Sequence, residues 1–224
     1  MQDIFSKDEH FYDLLRKTLS DQRLTKYSSA CGGDSRKALD LYYWNSQLSE
    51  CLYMPLQAWE LALRNKLNLF FCWKFGTNWP FNEKGTRQLK RNELAKVQDA
   101  VERQTINRGA TGLSVGSVVA DLSPGFWVAL LSKRYAVPFV WARNGNLRRI
   151  FPHEPDIEQQ DASDICNNLL DLRNRIAHHE PVFHLPLAAR RKEIDRLLLA
   201  MCPGSHGFAN IACRFPRIWD AKPH

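Results

Sequence analysis

The stretch that decides the fold runs from Leu56 to Phe75 and reads LQAWELALRNKLNLFFCWKF. Its large apolar residues recur at intervals of three and four, the spacing of one face of an α-helix. Gly76 follows directly, and glycine is the residue type that most often ends a helix. We therefore predict that this stretch is the most apolar helix of the protein and lies at the centre of its core.

Helical spacing continues on both sides of this stretch, whereas the alternation typical of strands is scarce. Pro55 either kinks a helix that begins at Ser35 or stands in the first turn of a new one. A loop is expected to follow the first helix and to end at 31–34. A second loop is expected to cover 109–116. Further helices are predicted at 11–19, 84–103, 124–134, 165–178 and 187–201. The sequence therefore predicts a single all-α domain.

The composition is that of an ordinary globular protein, with 224 residues, 44% hydrophobic and 25% charged. No apolar stretch is long enough to span a bilayer, and the first residues lack the pattern of a secretory leader. We therefore expect a cytoplasmic protein without a membrane partner. The formal net charge of +7 favours an anionic partner such as nucleic acid.

The six cysteines are scattered, and no two of them form a CxxC pair. In a chain of this size they are expected to be reduced thiols that pack as small hydrophobic side chains. Cys202, His206 and Cys213 do not match a common zinc spacing. The sequence therefore predicts neither a metal site nor a cofactor.

The most informative segment for function is LDLRNRIAHHEP, from Leu170 to Pro181. It ends a helix with an apolar stripe, and Pro181 is expected to stop that helix. At 100° per residue, Asn174 and His178 share a ridge, while Arg173 lies about 140° from His178. Arg173 and His178 therefore flank one face and could converge on a group that docks across it.

A phosphodiester suits such a face. Arginine offers a permanent charge and a planar set of donors that matches phosphate oxygens, and histidine exchanges protons near neutral pH. These two side chains suffice for metal-free RNA cleavage, in which the ribose 2′-OH attacks its own phosphate. The alternative is that cationic residues at a helix C-terminus only complement the helix dipole.

The longer string RNRIAHHEPVF, from Arg173 to Phe183, resembles the signature of the Abi-like (abortive infection) family of the HEPN superfamily. WELALRNKL, at 59–67, is similar to an upstream helix of that family, and LSPGFWVALL, at 122–131, is similar to one of its helix starts. Pro124 departs from the pattern, because an aromatic residue is expected there.

The resemblance implies an HEPN-like helical bundle with additional helices over 1–202, followed by an irregular C-terminal tail at 203–224. It also implies a homodimer that cleaves RNA in a phage-defence or toxin–antitoxin system, with an antitoxin or another defence protein as a further partner. A non-catalytic HEPN-fold module that binds RNA, nucleotide or protein, as a scaffold of a defence complex, is the alternative.

On this resemblance the catalytic residues are Arg173, Asn174 and His178. His178 would act as general base or acid, Arg173 as the cation that stabilises the transition state, and Asn174 as a polar orienting group. His179 and Glu180 would position the histidine or contact RNA.

The resemblance adds Glu60, Arg64 and Asn65 from the upstream helix as supporting residues. Glu60 and Arg64 also fit an ordinary ion pair on a helix surface.

Weaker candidates for RNA contacts are Arg143, Arg148, Arg149 and Arg175, for which a solvated basic face is the simpler interpretation. The tryptophans expected to pack in the core rather than stack on bases are Trp44, Trp59, Trp73 and Trp127.

Overall fold

The computed structural model describes residues 9–139, 141 and 145–223, with the side chains of 9–12 and 110 left undescribed. Its α-helices are α1 (Glu9–Leu19), α2 (Asp21–Ala30), α3 (Ser35–Phe75), α4 (Glu83–Thr86), α5 (Arg91–Gly112), α6 (Val115–Asp121), α7 (Pro124–Ala129), α8 (Ala136–Phe139), α9 (Asn146–Ile150), α10 (Gln159–Ala177), α11 (Leu187–Met201), α12 (Pro203–Asn210) and α13 (Phe215–Asp220). Two short 3-10 helices cover Trp79–Phe81 and Lys133–Tyr135. The described residues contain no strand, so the all-α prediction is confirmed.

Helix α3 has 41 residues and is about 60 Å long. The Asp34 carboxylate caps its first turn by accepting hydrogen bonds from the backbone N–H groups of Arg36 and Lys37. Gly76 ends it in a left-handed conformation, with φ of 97°. Pro55 lies buried inside this helix, so the two predicted segments are one continuous helix.

The core of the protein is built around α3, as the opening stretch predicts. Helices α2, α7, α9, α10, α11, α12 and α13 all pack against it. Five tryptophans are almost fully buried: Trp44, Trp59, Trp79, Trp127 and Trp141. Together these contacts make the molecule a single helical domain.

Several helix boundaries differ from the prediction: the helix expected at 84–103 is divided into α4 and α5, and α10 begins at Gln159 rather than near Ile165. Residues 21–30, expected to be part of a loop, form α2. The expected loop at 109–116 is largely helical, because α5 continues through a bend at Gly109, whose φ of 72° suits glycine. The helix expected at 124–134 ends at Ala129.

The prediction of an irregular C-terminal tail at 203–224 was wrong. The segment forms α12 and α13, and both pack against α3. The Trp44 Nε1–H donates to the carbonyl oxygen of Ile218 over 2.6 Å, and Phe215 and Ile218 are buried. Apolar residues spaced three apart within a six-residue helix give too short a pattern to be recognised from sequence alone.

None of the helices in the described ranges is both long and apolar enough to cross a membrane.

Candidate functional site

The site begins at the C-terminal turn of α10. His178 follows the last helical residue, and His179 takes a left-handed conformation with φ of 56°. The His179 N–H donates to the Ile176 carbonyl over 3.1 Å, and the Glu180 N–H donates to the Arg175 carbonyl over 2.8 Å. These two bonds form the Schellman motif, in which glycine usually occupies the left-handed position. The sequence prediction that a helix ends before Pro181 is confirmed.

Two long-range contacts anchor this turn, and the sequence analysis identified neither. Arg23 Nη1 on α2 donates to the His179 carbonyl oxygen over 2.7 Å. Asn45 Oδ1 on α3 accepts from the backbone N–H groups of Val182 and Phe183, at 2.7 and 3.1 Å. The only signal in the sequence is an amide residue on an otherwise apolar helix face, which is the kind of position where a buried polar group needs partners.

A carboxylate shared by two arginines connects α3 to α10. Glu60 Oε1 accepts from Arg64 Nη2 over 2.9 Å, and Glu60 Oε2 accepts from Arg173 Nε over 3.1 Å. The side chains of Glu60 and Arg64 are each 15% exposed and that of Arg173 is 36% exposed. The Glu60–Arg64 contact is therefore more than a surface ion pair, and the cluster carries a net charge of about +1.

An open groove of about 760 Å³ lies beside this cluster, between α3 and the end of α10. Arg173 and His179 line one side of it, and α3 supplies the other side. The residues that α3 contributes are Ser49, Glu50, Tyr53, Leu56, Gln57, Glu60, Leu61 and Arg64. Sequence reasoning did not identify Tyr53, Gln57 or Leu61 as part of the site.

The structure brings some predicted site residues together and separates others. His178 is exposed next to His179 but is not among the residues that line the groove. Asn174 is half-buried, and Asn65 is exposed outside the groove lining. Glu180 forms an ion pair with Arg175 over 3.2 Å.

Two of the weaker RNA-contact candidates lie outside the groove lining. Arg148 and Arg149 are exposed on α9, and Arg143 lies outside the described residues. The Arg149 guanidinium lies 3.7 Å from the centre of the Trp73 ring. Trp73 is 54% exposed, so the prediction that it packs in the core was wrong.

A third imidazole lies close behind the turn. His184 lies near Arg175, and its surroundings disfavour the positively charged form of its imidazole. Burial, and then the positive charges of Arg175 and Lys26, lower the pKa of His184 below that of a free histidine. These surroundings favour the neutral ring, in which one nitrogen donates a hydrogen bond and the other accepts one.

Metal ligands are not grouped in the described part of the chain. No set of three or more histidine, cysteine or acidic side chains is placed there to hold an ion. The groove lining includes the guanidinium groups of Arg64 and Arg173 and the imidazole of His179, and its two carboxylates, Glu50 and Glu60, are each paired with arginine.

No family model, curated protein or solved structure matches this chain.

Proposed function

We propose that the protein is a metal-independent endoribonuclease of the HEPN type that acts in a phage-defence or toxin–antitoxin system. The observation that carries the proposal is the placement of Arg173, which Glu60 holds at the wall of an open groove that the exposed His179 also lines, with the exposed His178 one residue before it. The net charge of +7 is consistent with an RNA substrate.

The hydrogen bond to Glu60 uses only the Nε–H of Arg173. Within the described residues, the two η nitrogens of Arg173 have no protein partner, so both can donate to phosphate oxygens. Glu60 thus fixes the guanidinium plane while leaving its phosphate-binding edge open. Such a fixed cation stabilises the charge that develops on a pentacoordinate phosphate.

His178 and His179 are the candidates for proton transfer. One imidazole takes the proton of the ribose 2′-OH, the 2′ oxygen attacks the adjacent phosphorus, and the bond to the 5′ oxygen breaks. A protonated imidazole supplies a proton to the leaving 5′ oxygen. The products are a 2′,3′-cyclic phosphate and a free 5′-OH, and the reaction requires no metal. In the proposed homodimer, two such motifs share one cleft.

One observation favours the alternative of a non-catalytic RNA-, nucleotide- or protein-binding module. Arg173 already has an intramolecular carboxylate partner, so part of its charge is compensated before any ligand binds. A module of this kind would bind RNA at the same groove and leave it intact.

The test is incubation of a mixed-sequence RNA with purified protein in excess EDTA, with analysis of the product ends. The native chain is expected to give 2′,3′-cyclic phosphate ends. Arg173→Ala and His178→Ala should each lower the cleavage rate by at least about 100-fold. Shifted but uncut RNA would instead establish the binding module.

Two matched controls remove the same side-chain types outside the groove. His153→Ala removes an exposed imidazole, and Arg103→Ala removes an arginine whose partner is Asp121. Both should cleave at the native rate. If His178→Ala also cleaved at the native rate while folded, the proposed role of His178 would be wrong.

A further inference from the structure

A continuous row of exposed residues follows α3 out of the groove. The residues lie four apart, so each is rotated about 40° from the one before it and the row forms a slanted ridge on the helix. We call it the α3 ridge; its members are Tyr53, Gln57, Leu61, Asn65, Leu69 and Trp73. All six are exposed, and the four large apolar ones expose between 43% and 63% of their surface. An exposed apolar row of this kind marks a binding surface.

The α3 ridge has two distinct ends. Tyr53, Gln57 and Leu61 line the groove that holds Arg173. At the other end, Trp73 carries the guanidinium of Arg149 flat against its ring, 3.7 Å from the ring centre. Leu61 and Trp73 are 12 residues apart, which is about 18 Å along the helix axis and about 120° around it. A stacked strand rises about 3.4 Å per nucleotide, so a strand that follows the ridge around the helix needs at least about six nucleotides to cover this distance.

The surroundings of the ridge are strongly basic. From Leu61 to Phe75 the sequence contains Arg64, Lys66 and Lys74 but no acidic residue. The stretch from 133 to 151, which includes α9, has five cationic residues and again no acidic one. Helices α3 and α9 pack against each other, which brings Arg149 of the second stretch onto Trp73 of the first.

The positive charge around the α3 ridge indicates which kind of partner binds there. In a symmetric dimer the same patch meets itself, so a second copy of this chain would bring like charges together at the Trp73 end. A nucleic-acid strand supplies the opposite charge. Its bases can also stack on aromatic rings and on guanidinium planes, which requires that they are not paired in a duplex.

Arg149 is suited to this role. No carboxylate in the described part of the chain pairs with it, and the contact with Trp73 holds its guanidinium in one plane. Its outer face and its N–H groups therefore remain available for a base or a phosphate.

We infer that the α3 ridge is a binding track for single-stranded nucleic acid, in which the Trp73–Arg149 pair stacks on a base several nucleotides from the phosphate bound at Arg173. The inference rests on the proposed function for the choice of RNA as the strand.

The test measures binding of a 12-nucleotide single strand of 2′-O-methyl RNA, which lacks the attacking hydroxyl and so cannot be cleaved. Trp73→Ala and Arg149→Ala should each weaken binding about tenfold. Arg149→Lys keeps the charge but loses the planar group, and should stay about as weak as Arg149→Ala. Trp73→Phe keeps a ring and should bind within about threefold of the native chain. Both replaced residues are exposed, and circular dichroism checks that each of the four variants is folded.

A matched control is Arg148→Ala, which removes the neighbouring exposed arginine that does not stack on Trp73. This variant should bind the single strand only about two- to threefold more weakly than the native chain, and the difference should vanish at high salt. A 12-base-pair duplex should bind with equal affinity to native protein and Trp73→Ala, since its bases are not available for stacking.

The inference fails if Trp73→Ala binds the single strand as tightly as the native chain, or if the substitution changes the oligomeric state and leaves RNA affinity unchanged. Its failure is distinguishable from that of the proposed function. Protein that never cuts RNA but loses single-strand binding on Trp73→Ala retains the track without the nuclease. In protein that cleaves, the same variant should raise KM about tenfold at unchanged kcat.

Discussion

Glu60 couples two arginines that come from different parts of the chain. Arg64 lies one turn further along the same helix, whereas Arg173 reaches Glu60 from α10. A partly buried carboxylate of this kind does two things: it compensates two cations, and it fixes the direction in which the Arg173 guanidinium points. The buried Arg64 Nε has no hydrogen-bond partner among the described residues, so Arg64 depends on Glu60 all the more.

Glu60→Gln tests whether this positioning matters for the reaction. The substitution keeps the shape but removes the charge, so we expect a loss of about 1–2 kcal/mol in the free energy of unfolding. We also expect at least a tenfold lower cleavage rate, because Arg173 is no longer held toward the groove. Urea unfolding and single-turnover cleavage measure the two effects separately.

Glu193→Gln is the matched control, because Glu193 and its partner Arg190 form an ion pair of similar exposure on α11, away from the groove. This variant should lower the free energy of unfolding without changing the cleavage rate. A Glu60→Gln protein that loses stability but cleaves at the native rate would show that the cluster is only structural.

At the scale of elements, the sequence predicted which segments form helices better than it predicted how they meet. The apolar periodicity of α3 and α10 is set by residues close in sequence, and so is the end of α10 at His178 and Pro181. The groove instead depends on contacts between residues more than 100 positions apart, such as Arg173 with Glu60. No local pattern encodes these contacts, so the resemblance could name Glu60 and Arg173 but not their pairing.

The anchoring of the α10 turn to α3 gives a second prediction. Asn45 is buried, and its Oδ1 accepts the N–H groups of Val182 and Phe183. Asn45→Ala leaves both donors without a partner, which we expect to cost about 2–4 kcal/mol in the free energy of unfolding. The segment after His179 should then open locally more often, since nothing else described bonds to these two N–H groups.

Hydrogen exchange followed by mass spectrometry checks this directly. Peptides that cover 178–185 should lose protection in Asn45→Ala, whereas peptides from 122–131 should exchange as in the native chain. Unchanged exchange over 178–185 would mean that another contact holds the turn.

At the scale of the whole molecule, the C-terminal segment belongs to the same core as the functional groove. Helices α12 and α13 pack against α3, where Trp44 contacts Ile218 and Trp219. The same helix carries the groove lining from Ser49 to Arg64 and the α3 ridge. A long helix with packing along most of its length transmits a loss of support at one end to its other end, because it melts as part of one cooperative unit.

A chain that ends at Cys202 tests this dependence. This truncation removes α12 and α13, together with the buried side chains of Phe215 and Ile218, and it exposes Trp44. We expect a loss of at least about 3 kcal/mol in the free energy of unfolding and a Tm lower by about 10 °C. In the full chain, Trp44→Phe removes the hydrogen bond to the Ile218 carbonyl and part of a buried ring, and should cost about 2 kcal/mol. Calorimetry should show one transition in the native chain and one in the shortened chain. The shortened chain should also show red-shifted tryptophan fluorescence. A shortened chain that melts at the native temperature would mean that 203–224 is an accessory segment and that 1–202 is the folding unit, as the sequence resemblance implies.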